Sequence, residues 1–149
     1  MTSRLALGLD RVGIKSCELK GHEVPVDLDT FAETAGVGPE DTLSYVIETQ
    51  GGRVVAYLAF IHGDNELTLA RMSECGIGLS NMPEFIREAI SMLPESQATI
   101  LRIVINEIDM PRYIEVVNQL AGVFVGGVSG QEQCAYGQTF HSYSYRVNL

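Results

Sequence analysis

The residues of this chain that could do chemistry are three histidines, three cysteines, a few strand-end carboxylates and one Gly-x-Gly pair, and their spacing limits that chemistry. His22, His62 and His141 have no Ser, Cys or carboxylate at a motif spacing, so no nucleophile–base pair is readable. Cys17, Cys75 and Cys134 are odd in number and lack CxxC or Cys/His ligand spacing, which predicts plain thiols in a reducing compartment and no metal site. Neither a Walker loop nor a Rossmann fingerprint is present. Ser73-Glu74-Cys75-Gly76-Ile77-Gly78 lies between a strand pattern and a helix pattern, and a GxG pair alone is also a common strand-to-helix turn. The plain reading of Glu48 and Glu66 is a solvated charge at a strand, and that of Asn106 and Glu107 is a loop or cap residue.

The C-terminal segment has an unusual density of aromatic and small polar residues. His141, Tyr143 and Tyr145 alternate and so share one strand face, which is either core or a contact surface; with Tyr136 they are the candidate interface residues. At 149 residues the chain is the size of one domain, able to bury a core without disulfides or metal. Its formal charge of −9, with scattered Lys and Arg, argues against nucleic acid as a partner. The N-terminus lacks the apolar stretch of a signal peptide, and the best apolar run, Val54 to Ile61, is far short of a membrane span. A soluble, cytoplasmic protein without membrane contact is expected.

The elements that must position these residues are clearest after Asp41. Before it, Leu5 to Leu9 and Val12 to Leu19 read as short strands, and Asp27-Leu28-Asp29-Thr30 as the capped start of a short helix stopping at Gly36. Leu43, Tyr45 and Ile47 alternate as a half-buried strand does, Gly51-Gly52 permits a two-residue hairpin turn, and Arg53 to His62 is apolar enough for a central strand. Glu66 to Met72 follows as a third strand. Ser80-Asn81-Met82-Pro83-Glu84 supplies a capping residue, an early proline and an acidic first turn for a helix with Phe85, Ile86, Ala89, Ile90 and Leu93 on one face, ended by Pro94. Thr99 to Ile105 is a second central strand. A helix from Asp109 to Gly122 buries Tyr113, Val117 and Leu120. Val123 to Val128 and Thr139 to Val147 read as a final strand pair joined by the polar residues 129–133.

This order resembles the GNAT family of N-acetyltransferases over Thr42 to Val147, with residues 1–41 the less regular part of a single domain. The nearest local likeness runs from Ile103-Val104-Ile105-Asn106 to Gly122-Val123-Phe124, similar to the family's strand, helix and "GF" corner. Ala121-Gly122-Val123-Phe124 is also similar to that corner in small acetyltransferase-like virion proteins of tailed phages. The resemblance implies an α/β fold with a mixed central sheet flanked by helices, and a parallel pairing of Glu66 to Met72 with Thr99 to Ile105. It further implies an acetyl-CoA pyrophosphate held by amides of Gly76, Ile77 and Gly78, with Asn106 near the cofactor and a base that is Glu66, Glu48 or an ordered water. If the loop does this, the amides of Gly76 and Gly78 and those of Ile77 or Leu79 converge on one exposed point beside a cleft; amides paired with neighbouring carbonyls, or a side chain filling the cleft, count against the catalytic reading.

Three departures count against chemistry: Ser73 stands where the family has Gln or Arg, the capping signal sits late at Ser80-Asn81, and Asn118 occupies the place of the family's thiolate-protonating tyrosine. Two classes remain, an acetyl-CoA-dependent N-acetyltransferase acting on an amine of a protein or small molecule, and a descendant without cofactor. The second is favoured: a structural or assembly subunit with protein partners or a homo-oligomer, within a phage particle or the cytoplasm.

Overall fold

The computed structural model describes residues 2–34, 42–63, 65–93, 98–124, 131–135 and 137–147. Strands β1 (Thr2–Leu5), β2 (Thr42–Gln50), β3 (Arg53–His62), β4 (Glu66–Glu74), β5 (Ile100–Asn106), β6 (Gln131–Ala135) and β7 (Gln138–Arg146) form one sheet in the order β1-β2-β3-β4-β5-β7-β6. Helix α1 (Arg11–Gly21) and the single turn α2 (Phe31–Thr34) cover one face; α3 (Met82–Met92) and α4 (Met110–Leu120) cover the other. The result is an α/β fold with a mixed sheet between helices.

Strand β3 shows why both faces must be covered. Ala56, Leu58 and Phe60 join the core under α3 and α4, while Tyr57 and Ala59 join Ile14, Cys17 and Phe31 under α1. The β2–β3 turn is tight because Gly51 and Gly52 both take positive φ, 60° and 78°, as a two-residue hairpin of this hand requires. Helices α3 and α4 each begin with a proline in the first turn.

Three expectations about local structure are corrected. Val12 to Leu19 belongs to α1, not a strand. The inward positions are Ile14, Cys17, Glu18 and Gly21, at helical spacing, while Val12 and Leu19 are 79% and 68% exposed. An inward carboxylate and outward aliphatics disguise the period. The first strand covers Thr2–Leu5, and Gly8–Asp10 is a 3-10 turn leading into α1, held where Asp10 accepts from Leu7 N–H and pairs with Arg4. Near the C-terminus, Gly122 to Phe124 is the turn ending α4, with Val123 and Phe124 amides donating to the Leu120 carbonyl. Gln131–Ala135, expected in part as a loop, is strand β6. Gly36, Pro94 and residues 125–130 lie outside the described residues.

The relationship that shapes the rest is β4 with β5. They pair in parallel, as expected, but only from Glu66↔Ile100 to Leu69↔Ile103. Beyond that point β4 stays on β3 as far as Glu74↔Ala56, while β5 stays on β7 as far as Asn106↔Phe140. A β-bulge opposite Ala59/Phe60 skips Ala70, and a bulge bends its strand. The bulge falls at the residue after the last β4–β5 pair, so it turns β4 away from β5 and opens a V between them.

Candidate functional site

Every backbone polar group on the open edge of β4 needs a partner. Side chains from two elements supply them. His22, just after α1, places Nε2 2.8 Å from the Met72 carbonyl. The Glu74 N–H donates to Tyr113 Oη on α4 at 3.0 Å, and Arg112 Nη2 donates to the Glu74 carbonyl at 3.1 Å. Tyr113 in turn donates to the Gly21 carbonyl at 2.7 Å, so its hydroxyl passes through the gap to the opposite face. Burial raises the pKa of this phenol and keeps its proton in place.

Below that edge lies a buried ionic group. Arg71 donates to Glu18 Oε2 at 2.6 Å and Oε1 at 3.0 Å, and to Asp109 Oδ2 at 3.0 Å; His22 Nδ1 is 2.9 Å from Asp109 Oδ1. Tyr57 donates to Glu18 Oε1. Burial works against the Arg71 charge, but the bonds and charges of Glu18 and Asp109 outweigh it and raise its pKa. Asp109 stands at the head of α4 and Glu18 and His22 at the end of α1, so these groups tie both helices to β4.

At the tip of the V is the Gly-x-Gly loop. Gly76 and Gly78 take φ of 151° and 93°, a region open to glycine and strained for other residues. Their amides converge on a single oxygen, Glu74 Oε2, at 2.6 and 3.1 Å. Glu74 Oε1 accepts from Arg112 Nη2 at 2.6 Å. The Gly76 and Gly78 amides do converge, but the point is filled by the chain's own buried Glu74 side chain, which is the arrangement expected to count against a cofactor cradle. The Ile77 amide is not part of it: it donates to the Val55 carbonyl at 3.3 Å, and the Ile77 side chain is in the core. The late start of α3 is bridged by a 3-10 turn, Leu79–Asn81, and Asn81 uses its side-chain amide to donate to the Ile77 carbonyl, not to cap the helix.

Other candidate residues lie apart. Glu66 starts β4, eight residues before Glu74 and so roughly 25 Å away along the strand, beside Arg102. Glu48 is buried on β2, where it accepts from the Ser3 hydroxyl. Asn106 caps the turn after β5, accepting from Ile108 N–H at 3.1 Å and donating to Gln138 at 2.9 Å. The aromatic stripe faces this chain's own α4, because β7 lies inside the sheet with His141, Tyr143 and Tyr145 opposite Ile105, Ile103 and Leu101. Tyr145, 4% exposed, donates to the Val117 carbonyl; Tyr143 is half-buried near Met110, and His141 is 3.5 Å from Glu107. Its core role corrects the interface reading for Tyr145. Tyr136 lies outside the described residues. Among the described residues no group of three or more His, Cys, Asp or Glu is placed to hold a metal.

Sequence reading missed Glu18, His22, Arg71 and Asp109, and assigned Tyr113 to the core alone. One signal was available: Arg71 stands between Leu69-Ala70 and Met72 in a strand pattern, and a charge in an apolar stretch needs a buried partner.

The fold has clear relatives among solved structures. It is similar to the ribosomal-protein-S18-alanine N-acetyltransferase of Escherichia coli, with a TM-score of 0.73 and 15% identity over 99% of this chain and 94% of that one. It is similar to a probable acetyltransferase from Staphylococcus epidermidis, with a TM-score of 0.72 and 11% identity over 99% of each chain. An acetyltransferase of the GNAT family from Streptococcus pneumoniae matches with a TM-score of 0.63 and 11% identity over 98% of this chain and 99% of that one. No protein-family model and no curated protein sequence matches the chain. The chain thus has the GNAT acetyltransferase fold. A likeness to acetyltransferases along nearly its whole length corrects the expectation of a structural subunit, favouring the enzyme alternative over it, and does not confirm the preference for no cofactor; nothing in it points to a phage particle. Among the described residues no helix is long and apolar enough to cross a membrane.

Proposed function

We propose that the protein is an acetyl-CoA-dependent N-acyltransferase that seats the cofactor's pyrophosphate on the amides of Gly76 and Gly78. One observation carries this reading: where β4 parts from β5, two loop amides meet at one oxyanion, and a guanidinium stands beside it. The Glu74 carboxylate oxygen there stands in for a phosphate oxygen, so the donor set fits the group. Acetyl-CoA supplies a thioester whose acyl carbon an amine can attack. Tyr113, fully buried with its hydroxyl bonded to the Gly21 carbonyl and the Glu74 amide, braces the gap between β4 and β5. Arg112 is the cation for the phosphates. Arg71 with Glu18, His22 and Asp109 fixes β4 and both helix ends, and so the width of the gap.

The acceptor is an amine. The Escherichia coli relative, by its name, acetylates an alanine of a ribosomal protein, which makes a peptide amine the first acceptor to try. Calorimetric titration with acetyl-CoA tests the proposal, together with thiol release in the presence of peptide and small-molecule amines. Saturable binding is expected. Absence of binding by both the wild-type protein and a Glu74→Ala variant overturns the reading.

A further inference from the structure

We infer that Glu74 is a built-in plug of the anion cradle, a carboxylate held where a phosphate oxygen belongs and displaced by the arriving ligand; this rests on the reading of the Gly76–Gly78 loop as the cofactor cradle. The carboxylate is shared between two donor sets. Oε2 takes the Gly76 and Gly78 amides at 2.6 and 3.1 Å, and Oε1 takes Arg112 Nη2 at 2.6 Å. The Glu74 backbone is fixed independently, by the Tyr113 and Arg112 bonds and by pairing with Ala56. Only its side-chain torsions have to turn for the cradle to open.

The charges make the plug competitive. With Glu74 in place, a phosphate approaching the loop meets a negative charge and amides that are already used. With Glu74 turned away, the same phosphate meets two unpaired N–H groups and a guanidinium that has just lost its carboxylate, and charge-assisted bonds of this kind are the strong ones. Arg112 is 41% exposed, so it can follow the incoming group without unpacking the core. The exchange is one oxyanion for another on the same donors, and the fold need not change. Apparent affinity is lowered by the small fraction of molecules whose cradle is open. Weak anions are thereby kept off the loop, and a ligand must bring enough further contact to turn Glu74 out.

Inorganic pyrophosphate titrated into isotope-labelled protein, read at the Gly76 and Gly78 amide resonances, tests this directly, with acetyl-CoA titrated calorimetrically in parallel. Glu74→Ala is expected to bind pyrophosphate roughly ten- to a hundredfold more tightly than wild type, the range set by losing hydrogen bonds to a charged group. Glu74→Gln, which keeps the volume but not the charge, shifts affinity in the same direction, and thermal melts confirm that both variants fold. Adding Arg112→Met to Glu74→Ala removes most of the gain. Equal response of the two amides in wild type and Glu74→Ala, or none in either, overturns the plug. If Glu74→Ala gains pyrophosphate affinity while acetyl-CoA binds neither protein, the plug stands and the acyltransferase reading falls. If acetyl-CoA binds both proteins equally, the plug falls and the acyltransferase reading stands.

Discussion

Tyr113 on α4 donates its hydroxyl to the carbonyl of Gly21 on α1 at 2.7 Å, although the two helices lie on opposite faces of the sheet. The bond exists because β4 and β5 stop pairing after Leu69 and Ile103 and leave room for a phenol between them. The same oxygen accepts the Glu74 N–H, so one side chain finishes the edge of β4 and locks two helices across it.

Tyr113→Phe is expected to lower stability by about 1–3 kcal/mol, because a buried carbonyl and a buried amide both lose their partner. Urea denaturation measures this. A Tyr113→Phe variant with the urea midpoint of wild type contradicts the tie between the two helices.

Arg71→Ala leaves Glu18 and Asp109 buried without their shared cation. Breaking a buried pair in this way costs about 3–5 kcal/mol, and the expected result is a protein that melts at much lower temperature or fails to fold. Arg71→Lys does not restore it, since one ammonium cannot reproduce the forked contact with Glu18 and the separate bond to Asp109. A melting temperature near that of wild type in Arg71→Ala would show that the group is not a structural tie.

Gly21 and Gly8 provide a paired test of how closely α1 sits on β4. A Cβ at Gly21 would lie 2.1 Å from Ser73 Oγ and 3.0 Å from the Glu74 carbonyl, whereas nothing lies within 4 Å of one at Gly8. Gly21→Ala should therefore destabilise by about 1–3 kcal/mol through overpacking. Gly8→Ala should change little. Equal melting temperatures for the two variants contradict the close approach.

Acid stability should depend on Asp10. Its bond to Arg4, then the Leu7 amide, pull its pKa down from 3.8 to about 2. A carboxylate with a depressed folded pKa adds stability above its unfolded value and loses it as pH falls through the folded one. The contribution is complete above about pH 4 and disappears towards about pH 2. Asp10→Asn should flatten the fall of melting temperature across that window; an unchanged slope denies the pair a role.

The elements that were legible carry their signal within a few neighbouring residues. Alternation in Leu43, Tyr45 and Ile47, two glycines at a hairpin, and Pro83 and Pro111 opening amphipathic helices each act over one or two turns of chain. Helix α1 was not legible, because its buried positions include Glu18 while Val12 and Leu19 face outward, and no local pattern reveals that Glu18 is matched by Arg71, 53 residues later. The Gly-x-Gly loop could be picked out for the same local reason as the turns. The charge of Glu74 two residues before Gly76 was legible too, but not the Arg112 that holds its other oxygen, 38 residues away.

By itself the sequence determined the strand and helix order after Asp41 and the glycines of the loop, because backbone freedom, capping and hydrophobic period are properties of adjacent residues. Tertiary structure alone decided that β4 bends off β5 at Ala70, that Tyr113 fills the gap, and that Arg71, His22 and Asp109 become one buried group. Those outcomes depend on the partner each polar group finds when water is excluded, and the partners are far apart along the chain.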